Sequence, residues 1–482
     1  MVKLKGNFYS KPIINQTLQV IGKNYAKNCP RCDANKFDVI MNHLVDNNHD
    51  NICFSCRMEA KVLKKLLRLY FYAYKIDKNT VRQLYDNIKV RKVIKNFFKG
   101  LALFGYREPF VMGAPLSVVW NITKNCNLKC LHCFTDSNFQ QKSEGELSTI
   151  EAKKIIRILA ANDVISLNFS GGEPLMRKDI FELMRYAHDH EISPTISTNG
   201  TLLTKKACIR LTESGVSSVT ISLDSISPEN HDRLRNVDGA YALAIKGIKN
   251  AAEVGNFKEL IISTTLTDYN YKEIPQIYEY IQELGATRYY VGRLLPNGRG
   301  KYYMDHDPNK EIKREMMDFL AKKLIQSVQE KIAIPIITRG MPYFSKACYE
   351  LSNGKIYPLC ELITGYEPEL QDTFNNKSAN FIHKISSTLG GCASGLFYIG
   401  LDNKGEVQPC ATSSHIKLGN ILKQGLHDIW INNPMLNTIR EQKKEKKGKC
   451  STCNAKDFCG GCLVSAYGST GDWHESDSSC PY

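Results

Sequence analysis

The sequence predicts an α/β chain whose centre is a partial (β/α)6 barrel of parallel strands. Two observations carry that prediction. Between Ser117 and about Arg299, short β-branched runs alternate six times, or nearly so, with helical segments. Cysteines cluster immediately after the first of those runs and again on both sides of the barrel region. The 482 residues exceed one ordinary core, so two to four domains are expected. We read five segments: 1–60, a four-cysteine metal ribbon; 61–112, a basic helical region with a linker; 113–300, the barrel; 301–390, a bridge; and 391–482, a second cysteine-rich domain.

The chain opens without the apolar core of a secretory signal, and no run of 18 apolar residues predicts a membrane-spanning helix. Seventeen cysteines in such a chain point to metal ligands in a reducing cytoplasm rather than to disulfides. The net charge of +15 is uneven: residues 1–110 hold 21 Lys and Arg against 8 Asp and Glu. That excess suits nucleic acid, an anionic membrane surface or an acidic partner, and equally a solvated basic face.

Taken in order, CPRC at Cys29 and Cys32 is followed after twenty residues by CFSC at Cys53 and Cys56. Two C-x2-C pairs at this separation close a tetrahedral thiolate shell, and a closed shell is structural. Zn²⁺ fits, and so does a single rubredoxin-like iron; the spacing does not separate them. Helical periodicity follows from 60 to 104, with Leu63, Leu66 and Leu67 among Lys61, Lys64 and Arg68. Its aromatic and basic residues fit a membrane-surface helix or, preferably, the buried face of a helical pair. EPFVMGAP, with Pro109 and Pro115, reads as a linker.

The barrel units begin with SVVWNIT and the helix STIEAKKIIRILAAN, which Ser148 and Glu151 open as a capping box. Ligands of such folds bind where loops leave the C-terminal ends of strands. The informative residues fall there. Cys126, Cys130 and Cys133, spaced C-x3-C-x2-C and followed by Phe134, come after the first strand. Gly171, Gly172, Glu173 and Pro174 follow the second, Ser197, Asn199 and Gly200 the third, and Ser222 and Asp224 the fourth. Three thiolates so close hold three irons of a [4Fe–4S] cluster and leave the fourth open, which is where metal centres do chemistry. A zinc site lacking one ligand is the competing reading. No glycine-rich phosphate loop is present.

Beyond the barrel, a helix is expected over 311–331. The last ninety residues carry Cys392, then Gly405 and Cys410, then Cys450, Cys453, Cys459 and Cys462, and finally Cys480. Fourteen of the seventeen cysteines thus fall in three groups, leaving Cys208, Cys348 and Cys360. Cys208 reads as a buried small apolar residue.

The C-x3-C-x2-C loop together with GGEP resembles the radical S-adenosylmethionine (SAM) superfamily over roughly residues 115–300. The terminal cysteine order resembles its SPASM extension, which houses two auxiliary [4Fe–4S] clusters. The resemblance implies that SAM chelates the open iron through its amino and carboxylate groups. Reductive cleavage then gives methionine and a 5′-deoxyadenosyl radical that takes hydrogen from the substrate. It also implies that the glycines approach the methionyl end and that Glu173 accepts from its amino group. Ser222 and Asp224 are placed near the ribose, and Arg235, with Arg233 equally available, near the carboxylate. Cys450, Cys453, Cys459 and Cys480 close one auxiliary cluster by similarity, and Cys392, Cys410 and Cys462 hold the other. The latter takes Cys348 or Cys360 as fourth ligand, or keeps an open iron.

FCGGCLVSAYGSTGDW and GCASGLFYIGLDNKGEVQPC are most similar to SPASM enzymes of alternative haem and haem d1 synthesis, the decarboxylase of alternative haem synthesis among them, and to peptide-modifying members. The resemblance implies oxidation, decarboxylation or cross-linking of a tetrapyrrole or a peptide, with a low-potential donor of ferredoxin or flavodoxin type. The N-terminal region lies outside that pattern. Other readings are a metal-ribbon nucleic-acid binder, for which phosphate contact alone gives no specificity, and a non-catalytic iron–sulfur scaffold.

Overall fold

The computed structural model describes residues 12–46, 52–73, 87–139, 145–330, 334–352, 391–441 and 445–482. The expected ligand Cys360 and much of the expected bridge lie outside these. The chain forms two compact units, residues 1–116 with 360–390, and 117–359 with 391–482.

In the first unit, helix α1 (Pro12–Ala26) leads into a hairpin of β1 (Asn28–Cys29) and β2 (Ala34–Asn35), then α2 (Lys36–Asp46), α3 (Phe54–Ala73) and α4 (Ile88–Phe104). Asn87 caps α4 by accepting from the Lys89 and Val90 amides. The aromatic residues among its lysines turn inward. Phe98 lies 4.8 Å from the Tyr25 ring and 5.7 Å from that of Phe37, and Phe97 stacks on Phe110 at 4.6 Å. Lys95 pairs with Asp38 at 2.6 Å. EPFVMGAP has no regular structure, yet Phe110, Val111, Met112 and Ala114 are buried. Gly100 permits this: a Cβ there would stand 2.3 Å from the Val111 carbonyl. The segment is therefore packed chain rather than a free linker.

In the second unit, one sheet runs β12-β11-β10-β3-β4-β5-β6-β7-β8-β9. The strands β3 (Ser117–Thr123), β4 (Ser166–Gly171), β5 (Ser193–Thr198), β6 (Ser218–Ser222), β7 (Glu259–Leu266) and β8 (Arg288–Arg293) are the six expected parallel strands. β9 (Ile336–Arg339) extends them in parallel from the segment read as a bridge, after the helix Lys310–Glu330. At the other edge β10 (Tyr398–Leu401) pairs in parallel with β3, and β11 (Glu406–Gln408) and β12 (Gly419–Asn420) add antiparallel strands.

Burial alternates along the strands. On β7, Leu260, Ile262, Thr264 and Leu266 are buried, whereas Ile261, Ser263 and Thr265 are half-buried. One face of the sheet therefore packs on apolar neighbours and the other carries hydroxyls and amides: Asn168, Thr195, Ser197, Thr220, Ser222. Ser148 and Glu151 form the expected capping box, with Glu151 accepting from the Ser148 amide at 2.9 Å. Cys208 is fully buried, as its apolar reading requires. Among the described residues no helix is long and apolar enough to cross a membrane.

Trp120 ties β3 to the C-terminal strands. Its ring is fully buried beside Phe169, and its Nε1 donates to the Asp402 carbonyl at 2.9 Å. Trp120→Phe removes that bond, leaving the carbonyl only the Gly405 amide at 3.2 Å, and opens a gap beside it. The variant should lose about 1–3 kcal/mol, read as a lowered thermal midpoint; an unchanged midpoint removes the bond from the account.

Candidate active site

The site begins at the end of β3, where the chain turns into the loop of Cys126, Cys130 and Cys133. Cys126 is buried and the other two are half-buried. Each sulfur faces donors. Cys126 Sγ accepts from the Leu128 amide at 3.4 Å and lies 3.9 Å from Asn199 Nδ2. Arg235 Nη1 stands 3.8 Å from Cys130 Sγ, and the Ser137 amide 3.4 Å from Cys133 Sγ, with Thr135 Oγ1 at 3.3 Å. Donors around sulfur stabilise thiolate and lower the charge cost of an anionic cluster. Burial pushes the free Cys126 thiol up to about 12, so metal binding there must release its proton.

The GGEP turn seats this loop. The Gly172 amide donates to the Thr123 carbonyl at 2.7 Å and the Glu173 amide to Asn125 at 2.8 Å. Gly171 has φ +130°, and a Cβ on it would lie 2.4 Å from the Thr123 carbonyl oxygen; on Gly172 it would lie 2.3 Å from that of Asn125. The glycines are thus required by the contact between two loops, a constraint separate from any ligand. Pro174 opens the short 3-10 turn that follows.

Glu173 is fully buried. Its carboxylate accepts from the Leu175 amide at 3.1 Å, Thr198 Oγ1 at 2.8 Å and the Asn199 amide at 2.8 Å. It therefore braces the β4 loop against the end of β5. Burial nevertheless raises its pKa to about 7. Asn199 extends the brace: its Nδ2 donates to Asn127 Oδ1 at 2.8 Å, and Asn127 Nδ2 to Thr201 at 2.7 Å. Ser197 donates to Asn168 at 3.0 Å, and Ser222 stands half-buried in register with Ser263.

Asp224 and Arg235, expected beside different parts of SAM, meet each other here. Arg235 Nη2 lies 2.8 Å from Asp224 Oδ2, His132 Nε2 lies 3.4 Å from the same oxygen, and the Thr265 amide donates to Oδ1. Burial opposes ionisation of Asp224, but Arg235 and then His132 hold its carboxyl below the usual range. Of the two arginines in HDRLRN, Arg235 faces the cysteine loop, whereas Arg233 reaches Tyr269 at 3.0 Å.

Sequence reasoning missed Arg299 and His132. Arg299 Nε donates to the Cys130 carbonyl at 2.9 Å, Nη2 to that of Ser137 at 2.7 Å, and Nη1 pairs with Asp136 at 2.8 Å. It clamps the cysteine loop from the end of β8. The PNGRG run was its only signal, through the glycine: a Cβ on Gly298 would lie 2.5 Å from the Cys133 carbonyl.

The terminal cysteines form two sets by the charges they sense. Cys459 senses Cys480 and Cys450, while Cys462 and Cys410 both sense Cys392. Cys453 accepts from the Ala455 amide at 3.4 Å, with Lys346 Nζ at 4.0 Å. The helix Phe344–Leu351, which buries Cys348, meets the first set through Lys346 and through Tyr349 on Phe458. Asp477 joins the sets to the barrel. It accepts from the Cys462 amide at 2.9 Å and lies 3.6 Å from Arg293 of β8.

In the N-terminal unit, the sulfurs of Cys29, Cys32, Cys53 and Cys56 all lie within 4.8 Å of one another. The first pair sits on the β1–β2 hairpin, whereas the second opens α3 instead of forming a second hairpin.

The comparisons set this parallel sheet, with its three-cysteine loop at the C-terminal strand ends, among iron–sulfur enzymes. The profile of the radical SAM superfamily matches residues 120–281, and that of the SPASM iron–sulfur cluster-binding domain residues 392–454. An AdoMet-dependent heme synthase of Methanosarcina barkeri is 31% identical over 77% of this chain and 97% of its own. The pre-heme d1 synthase of Dinoroseobacter shibae is 30% identical over 75% and 85%. The mycofactocin maturase MftC of Mycobacterium tuberculosis is 28% identical over 78% and 83%. Streptococcus suis SuiB shares the fold, with a TM-score of 0.59 and 20% identity over 92% of this chain and 93% of that one. The chain belongs to the radical SAM superfamily and carries its SPASM extension.

Glu173→Gln sets an amide NH2 against a backbone or hydroxyl donor and should cost about 1–3 kcal/mol, measured by thermal unfolding. The pH dependence has a definite sign. Folding raises Glu173 from 4.5 to about 7, so its contribution to stability is full below about 4.5 and is lost as pH rises to about 7. The glutamine variant should lack that fall.

Proposed function

We propose that the protein is a radical SAM enzyme acting on a tetrapyrrole, with Cys126, Cys130 and Cys133 as ligands of the SAM-cleaving [4Fe–4S] cluster. The observation that carries the site is the set of donors on all three sulfurs, a surrounding that suits an anionic cluster. When bound, the cluster and SAM supply the radical that takes hydrogen from substrate. This chain's residues do the rest. Gly171 to Pro174 hold the cysteine loop at its base, Glu173 fixes that turn to Asn199, and Arg299 clamps the far side. Arg235 places positive charge against Cys130 and is itself oriented by Asp224. The hydroxyl and amide face of the sheet, with Ser197 and Ser222, suits the polar parts of SAM.

Tetrapyrrole is favoured because relatives named for haem and haem d1 synthesis match over 97% and 85% of their own lengths. A peptide substrate is the second reading, supported by the maturase match over 83% of that relative. Cys450, Cys453, Cys459 and Cys480 would hold one auxiliary [4Fe–4S] cluster, and Cys392, Cys410 and Cys462 the other, in keeping with the nearness of Cys459 to Cys450 and Cys480 and of Cys410 and Cys462 to Cys392. They would pass electrons between substrate and a low-potential donor of ferredoxin or flavodoxin type. Oxygen-sensitive clusters, together with the high cysteine count, would suit a reducing cytoplasm.

Cys29, Cys32, Cys53 and Cys56 would hold one Zn²⁺ or iron. Four sulfurs at about 2.3 Å from a tetrahedral ion stand about 3.8 Å apart, and Cys29 Sγ lies 3.7 Å from Cys53 Sγ.

The reduced, cluster-loaded protein should convert SAM to 5′-deoxyadenosine and methionine. Cys130→Ala should abolish this while two clusters per chain remain by iron analysis; undiminished cleavage contradicts the assignment. Cys32→Ser should lower the metal content by one ion per chain, zinc or iron, with SAM cleavage retained. An unchanged metal content contradicts the four-thiol site.

A further inference from the structure

A cation at the barrel mouth has no acidic partner among the described residues. Arg339 is the last residue of β9, which lies outside residues 120–281 of the family match. Its guanidinium carbon is 5.3 Å from the ring of Phe134, the residue after Cys133, and 5.8 Å from the ring of Tyr290 on β8. The register partner of Arg339 on β8 is Gly292, where a Cβ would come 3.8 Å from Arg339 Nε. Among the described residues no carboxylate pairs with Arg339, although Arg235, Arg288, Arg293 and Arg299 in the same unit each meet one. Arg339 is half-buried, on the strand ends that carry the cysteine loop.

We propose that Arg339 binds a carboxylate of the substrate, a propionate if the tetrapyrrole reading on which this rests is right. The chemistry follows from the setting. Phe134 and Tyr290 flank the guanidinium, and its N–H donors, which no carboxylate among the described residues takes up, suit a carboxylate held by two parallel bonds. A half-buried cation without a counter-charge is costly, and an anionic ligand removes that cost. Position beside Phe134 puts the held group next to the SAM-cleaving cluster loop, so the residue selects acidic substrates and orients them toward it.

The test uses the cluster-loaded full chain, with Fe-coproporphyrin III as probe and its tetramethyl ester as control, each titrated by its visible absorption. The wild type should bind the acid more tightly than the ester. Arg339→Gln should weaken the acid about tenfold to a hundredfold, the range of a lost charged hydrogen-bond pair, and leave ester and SAM affinities unchanged. Arg339→Lys should recover part of the loss. Equal acid affinity in wild type and Arg339→Gln, equal loss for acid and ester, or weakened SAM binding would each overturn the role of Arg339 while leaving the tetrapyrrole reading standing. No binding of the acid by the wild type would overturn that reading, and this proposal with it.

Discussion

The contact between two loops, the cysteine loop after β3 and the GGEP turn after β4, is the constraint on which the site depends. It is made by backbone. Two amides donate into the base of the cysteine loop, and neither Gly171 nor Gly172 has room for a side chain. Glu173 then carries the contact to the end of β5 through two hydrogen bonds, from Thr198 and the Asn199 amide, and fixes its own turn through a third from Leu175. Parallel strands put the three loops at one end of the sheet, and this seat fixes their spacing. Arg299 and Arg235 complete the enclosure with charge, from the ends of β8 and of the helix Pro228–Arg235.

The charges around the site form a chain of restraint. Arg235 lies against Cys130 because Asp224 holds it, and Asp224 is held by a β7 amide and approached by His132. A buried pair of this kind gives orientation more securely than it gives stability. Arg293, the last residue of β8, and Asp477 repeat the device, and there the carboxylate also meets the Cys462 amide. β8 therefore links the radical site, through Arg299 just beyond it, to the auxiliary cysteines.

Much of this was legible in the sequence because its signals are local. The six parallel strands show as β-branched runs, the capping box as Ser148 and Glu151, and the cysteine groups as fixed spacings. What was missed depends on tertiary pairing. β9 is four residues long after an extended helix, too short to register as a unit, and β10 joins β3 from nearly three hundred residues away. EPFVMGAP reads as a linker by its prolines, yet it packs because Gly100 opens a slot for it. Arg299 meets two backbone carbonyls and Asp136, and Arg339 two aromatic rings, partners that leave no pattern in sequence. The role of Glu173 as a brace is hidden likewise, since its acceptors face donors on another strand.

The central claim is that the seat of the cysteine loop places SAM on the open iron. It is tested most directly by electron paramagnetic resonance of the reduced, cluster-loaded Gly172→Ala variant, with and without SAM. The account predicts that the radical-site cluster signal persists but that SAM no longer shifts it, whereas in the wild type SAM shifts that signal alone. A full SAM-induced shift in the variant would contradict the account.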